Sequence, residues 1–159
     1  MAMSAPHQVG FDPAEIRTNE PTRNARLKWV VVVDESLPPG RAANAAICVA
    51  AATATGVGGL LGPDAKDGGG EVHPGLPWAG CSVLGAPASR LAEIRTTAAD
   101  SLGVHVADMP AAAQSTRVYD EYLAEVGTTA TEALTYLAVS LVGPRNRIDK
   151  LVRQLSLLQ

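Results

Sequence analysis

Three side chains with chemical capability punctuate the stretch LPPGRAANAAICVAAATAT, Leu37 to Thr55, which is otherwise almost all alanine-sized: Arg41, Asn44 and Cys48. Their separations of three and four residues align them along one side of an α-helix. Arginine supplies a permanent cation whose fork matches carboxylate or phosphate. Asparagine supplies a donor and an acceptor together, and cysteine a thiol that attacks only as thiolate. The helix follows an apolar strand, so its free N–H groups lie near the strand's C-terminal edge, where open α/β sheets collect ligands. Arg41 and the helix start would receive an anionic group there, with Asn44 and Cys48 lining the same recess. The plainer alternative is a solvated Arg, a water-facing Asn and a small buried Cys.

Other groups stand near this helix in the expected topology. His73 lies in GEVHPGLPW with Trp78 and would cap the recess, or be a solvated loop histidine. Asp34 and Asp108 end strands and would line a pocket at the strand ends or cap their own loops. His105 would face either core or water. No Ser-His-Asp order, nucleophile elbow, Gly-x-x-x-x-Gly-Lys loop or complete dinucleotide fingerprint occurs. Cys48 and Cys81 sit in apolar sequence without Cys-x-x-Cys or His-x-x-x-His spacing, so neither a metal nor a cofactor is expected.

The elements that must hold these residues can be read from punctuation and period. Residues 1–24 are polar and proline-spaced, a strap in which Asp12-Pro13-Ala14-Glu15 carries a helix-start signal. Residues 25–159 form one α/β domain. LKWVVVVD, Leu27 to Asp34, is apolar on consecutive positions, as a strand covered on both faces requires. A helix over Arg41 to Ala54 follows, then a glycine- and proline-dense loop over 56–80 with room for a short extended piece. Strands are expected at Cys81 to Ala86, Val104 to Met109 and Leu134 to Gly143. Helices are expected with Leu91, Ile94, Ala98 and Leu102 on one face, over Ala111 to Val126, and from Pro144 with Ile148, Leu151, Val152 and Leu155 inward. Alternating strands and helices predict helices on both sides of a mostly parallel or mixed sheet.

Composition narrows the classes of function. The chain has 159 residues, 47% hydrophobic and 18% charged, which suits one folded core. Only 4% are aromatic, so small aliphatic side chains must fill that core. A formal net charge of −3 gives no general attraction to nucleic acid, although the last helix collects Arg145, Arg147, Lys150 and Arg153 on one side. No secretory leader is expected, since the first residues lack a basic segment followed by an apolar core; no apolar run approaches membrane length, and the two cysteines suit a reducing cytoplasm.

DESLPPGRAANAAICVA after the first strand and LTYLAVSLVGPRNRIDKLVRQLSLL near the C-terminus together resemble the type-2 peptidyl-tRNA hydrolases. In those enzymes Gly-Lys begins the first helix, and the last strand runs through Gly-Pro into a helix ending in Leu-Leu. The chain is also similar to a bacterial group, domain-of-unknown-function family 2000. The resemblance covers 27–55 and 125–158, and it implies a three-layer α/β/α sandwich around a four-stranded mixed sheet. It further implies a homodimer, and tRNA phosphate as a partner of the basic helix.

The active site carries over badly. Arg41 stands where the hydrolases have Lys, Ala45 where they have Gln with Asn44 adjacent, and Cys48 where they have His. Their Asp-Ala-Gly-x-Thr segment corresponds to Glu125-Val126-Gly127-Thr128-Thr129 with the spacing shifted by one. Arginine stays protonated and cannot act as a general base, and a thiol in place of imidazole needs a base of its own. The expectation is therefore a small-ligand-binding protein on this scaffold, with Arg41, Asn44 and Cys48 as ligand-binding residues and a small anion preferred over tRNA. The alternative is a hydrolase of peptidyl-tRNA or a related ester or amide, rebuilt around Cys48 with His73 or Glu125. A module acting only through its basic helix is the third reading.

Overall fold

The computed structural model describes residues 8–159; residues 1–7 of the expected strap lie outside the described residues. Five strands form the main sheet in the order β5-β6-β1-β4-β7. Strand β1 (Leu27–Asp34) pairs in parallel with β4 (Ser82–Ala86) and antiparallel with β6 (Tyr136–Pro144). Strand β5 (His105–Pro110) runs antiparallel to β6, hence in the same direction as β1, and β7 (Ser156–Leu157) closes the other edge against β4.

The unbroken apolar run of β1 is explained by what covers it. Leu27, Trp29, Val31 and Val33 pack with Ala42, Ala45 and Val49 of α1 (Pro39–Gly56). Val30 and Val32 pack on the opposite face with Leu91, Ile94 and Ala98 of α2 (Ala88–Ala99) and Ile148 of α5 (Arg145–Leu151). The small side chains Ala42 and Ala45 lie on the buried face of α1 against the sheet, as expected for a core with few aromatic residues.

One buried polar chain pins α1 to this sheet. Trp29 Nε1 donates to Ser140 Oγ at 2.8 Å, and Ser140 and Thr53 share a hydroxyl contact at 2.7 Å. Thr53 Oγ1 donates its single proton to the carbonyl of Val49 at 2.7 Å, so Ser140 must be the donor to Thr53.

The structure corrects four expectations. The sheet has five strands rather than four, because the last helix ends at Leu151 instead of continuing through Leu155. Gln154 turns the chain at φ 69°, and Ser156 and Leu157 pair with Gly85 and Leu84. Packing is close here: a Cβ on Gly85 would sit 3.3 Å from Leu158 Cδ1. Helix α2 stops before Leu102, which is 81% exposed rather than part of the inward stripe. The expected helix over Ala111 to Val126 is two pieces, α3 (Ala112–Ser115) and α4 (Tyr119–Gly127). The Ser115 and Thr116 hydroxyls both take the Ala112 carbonyl, and Thr116 turns extended, a local competition that ends the helix.

The expected start signal at Asp12 produces a single 3-10 turn, Pro13–Glu15. Glu15 Oε2 accepts from the Asp12 N–H at 2.8 Å, and Arg26 grips both carboxylate oxygens of Glu15. Phe11 beside this turn is buried against Trp78, ring centroids 4.8 Å apart, and its N–H bonds the Gly58 carbonyl. The 56–80 loop contains a small hairpin of β2 (Ala65–Lys66) and β3 (Val72–His73).

Candidate functional site

Arg41, Asn44 and Cys48 do lie along one side of α1, next to the buried stripe of Ala42, Ala45 and Val49, and all three are exposed. Asn44 and Cys48 open into a groove of about 600 Å³. Its floor is Ala51 and Ala52 of α1 with Met109 of β5, and its far wall is the α3–α4 junction with Thr116, Arg117, Tyr119 and Tyr122. Because β5 runs with β1, Asp108 and Met109 bring the groove to the carboxyl edge of the sheet, the usual ligand edge. A register shift between Met109 and Pro110 bends the strand at this point.

Arg41 is not part of the groove lining. Its Nε donates to Gln114 Oε1 at 2.7 Å, and Gln114 Nε2 donates back to the Arg41 carbonyl at 2.9 Å and to Asn44 Oδ1 at 3.1 Å. One amide thus satisfies two residues of α1 and ties α3 to it. Nothing in the spacing of the sequence pointed to Gln114, which is 70 residues from Asn44. Arg117 was equally hidden inside what looked like continuous helix. It supplies the groove's cation.

Asp108 was read as either a loop cap or a pocket group, and it lines the groove while accepting from Arg95 Nε at 3.0 Å. The pair draws the arginine of α2 around the edge strand and sets its guanidinium 5.7 Å from the Tyr136 ring centre. Burial holds the Tyr122 hydroxyl above the usual phenol range, with Tyr119 and Asp108 adding to the effect. Tyr122 therefore stays a neutral hydrogen-bond donor and acceptor at neutral pH.

Two expected members lie elsewhere. His73 does not cap the groove: it sits in the β2–β3 hairpin with Nε2 3.3 Å from Asp67 Oδ2, and it lowers the Asp67 carboxyl. Trp78 is also committed elsewhere, donating to the Gly59 carbonyl at 2.8 Å. Glu125 is on α4, exposed and outside the lining, while its backbone carbonyl accepts from the Thr128 and Thr129 hydroxyls. Asp34 is a loop cap, accepting from the Ser36 N–H and hydroxyl. His105 faces the end of α1, half buried, and burial holds its ring below the usual imidazole range. Burial pushes the Cys81 thiol up to about 11, which makes it a poor nucleophile at neutral pH.

A mixed five-stranded sheet with helices on both faces makes this an α/β protein, with a polar-rimmed groove at the sheet's carboxyl edge. The chain belongs to the DUF2000 family of proteins of unknown function, whose family model matches residues 27–159. It is similar in fold to the solved structure of a protein of unknown function, Atu0240, from Agrobacterium tumefaciens strain C58, with a TM-score of 0.73 and 15% identity. That match covers 83% of this chain and 97% of the other. No curated protein matches the chain. Among the described residues, no helix is long and apolar enough to cross a membrane.

Proposed function

We propose that the chain is a small-ligand-binding protein of the cytoplasm, built as a three-layer sandwich of the peptidyl-tRNA hydrolase type, and that its ligand lies in the α1–α4 groove. The observation that carries this reading is the convergence of the Asn44 amide, the Cys48 thiol, the Arg117 cation and two tyrosines on one recess. Its volume of about 600 Å³ is in the range of small-molecule sites. The ligand this lining suits has a carboxylate or phosphate for Arg117, within reach of Asn44, and a flat body that rests on Tyr119 and Tyr122. Arg41 acts one turn away as a positioning residue, by fixing Gln114 and through it Asn44. A homodimer is the working assembly taken from the hydrolase resemblance.

Binding is favoured over hydrolysis by the composition of the lining. It holds no histidine, and its acid is paired with Arg95, so Cys48 has no base of the kind that activates a thiol. The net charge of −3 likewise favours a small anion over tRNA.

The test is titration of the pure protein with benzoate and with phenyl phosphate, followed by NMR shifts of the Asn44, Tyr119 and Tyr122 signals. Saturable binding at the groove is expected, weakened about tenfold or more by Arg117→Ala and blocked by N-ethylmaleimide on Cys48. Shifts that ignore both changes overturn the site. Turnover of N-acetylaminoacyl-tRNA that disappears in Cys48→Ser replaces the binding reading with the hydrolase.

A further inference from the structure

We infer a second, separate anion site on the other face of the sheet, in the recess between α2 and α5. It has a volume of about 420 Å³ and is lined by Arg90, Arg147 and Lys150 together with Ile94, Leu102 and Leu151. The ligand class it fits is a small amphipathic anion, a phosphate or carboxylate head on a short apolar body.

The charge distribution is the first support. The chain as a whole is net negative, yet this recess gathers three cations and no carboxylate among its lining residues. Helix α5 has a single acid, Asp149, and it is turned away to Lys28, with Nζ to Oδ1 at 2.6 Å. Lys150 thus faces the recess without a neighbouring carboxylate on its own helix. Across the recess, Glu93 holds one nitrogen of Arg90 at 3.1 Å on an exposed surface, an i,i+3 pair that is worth little against an incoming dianion.

The second support is that both arginines are oriented. Arg90 Nη2 donates to the Leu151 carbonyl at the end of α5, and Arg147 Nη1 donates to the Leu102 carbonyl just beyond α2. Each guanidinium is drawn to a helix end, Arg90 sharing its fork with Glu93, and each keeps further N–H donors for a ligand. The third support is the apolar part. Ile94 forms a buried floor at 1% exposure, while Leu102 stands 81% exposed at the rim. An isolated leucine needs no explanation, but one beside a cationic recess offers cover for a ligand's hydrocarbon.

The site is tested by titrating the full chain with inorganic phosphate, with hexyl phosphate and with phosphatidylserine vesicles, reading the Leu102 and Leu151 methyl signals. Hexyl phosphate is expected to bind saturably and about tenfold more tightly than phosphate. Arg147→Gln with Lys150→Gln is expected to reduce that affinity by about tenfold or more, while Arg117→Ala leaves it unchanged. Leu102→Glu, a change at an exposed position that leaves the core intact, is expected to weaken hexyl phosphate both by charge repulsion and by loss of the apolar cover. Equal binding of phosphate and hexyl phosphate, indifference to both variants, or response to vesicles only each overturns the inference.

Discussion

Gln114 on α3 meets Asn44 on α1 with Nε2 3.1 Å from Oδ1, and the same amide also spans Arg41 from Nε to backbone carbonyl. This clasp bears on the candidate site because α4, which supplies Tyr119 and Tyr122 to the groove wall, contributes no buried residue of its own. The wall is therefore held largely through α3. Gln114→Ala is expected to cost about 1 kcal/mol in urea unfolding and to speed amide exchange over 112–127 far more than in the sheet. Uniform exchange across the chain would mean that the clasp does not hold the wall.

How much of this was legible in the sequence depends on the range of each interaction. The first and last of the four longer strands were readable because their continuous apolar runs must be covered on both faces, and the family motifs reinforced them, whereas the third was read from a weak alternation and the second as a short buried run. The alignment of Arg41, Asn44 and Cys48 followed from helical period alone. What period cannot convey is a partner distant in sequence. Gln114 and Arg117 entered the site because two hydroxyls at Ser115 and Thr116 break a helix that otherwise looks continuous. The fifth strand was hidden because it is only two residues long, and the stripe through Leu155 mimics a longer helix. His73 was drawn toward the groove by loop proximity, whereas a local carboxylate, Asp67, claims it.

Ser140 is the central link of the buried polar chain, accepting from Trp29 and donating to Thr53, with no exposure of its own. Ser140→Ala orphans the indole N–H inside the core, and a loss of about 2 kcal/mol is expected. In a Trp29→Phe background the same change removes an acceptor that no longer has that donor to satisfy. The penalty is then expected to fall by about 1 kcal/mol. Equal penalties in the two backgrounds, measured by urea denaturation, would detach Trp29 from this chain.

Glu15 is held down to about 2 by its hydrogen bond with Arg26 and by the Asp12 N–H, below an ordinary value of 4.5. A lowered carboxylate favours the folded state fully above the ordinary value, and that contribution fades as pH falls from 4.5 towards 2. Arg26 is about half exposed, so the stabilisation involved is about 0.5–1 kcal/mol. The wild-type protein is expected to be more stable than Glu15→Gln at pH 6, with the gap narrowing steadily as pH falls from 4.5 towards 2. A gap independent of pH would show that the carboxylate charge is not what fastens the 3-10 turn to Arg26.

Gly56 and His105 fit each other so closely that a Cβ on Gly56 would collide with His105 Cε1 and lie 2.9 Å from Nε2. The ring is half buried on β5, so it can escape only by leaving the end of α1, and Gly56→Ala is expected to cost about 1–3 kcal/mol. In a His105→Ala background the clash disappears and the same substitution becomes neutral or mildly stabilising. Burial also keeps the His105 ring below the ordinary imidazole value of 6.5. The unfolded chain then takes the proton first, so this residue's contribution to stability is whole above pH 6.5 and declines as pH falls below it. Urea midpoints from pH 7.5 to 5 should fall more steeply for the wild-type protein than for His105→Gln. Parallel curves would mean that the imidazole titrates as freely in the folded chain as in the unfolded one.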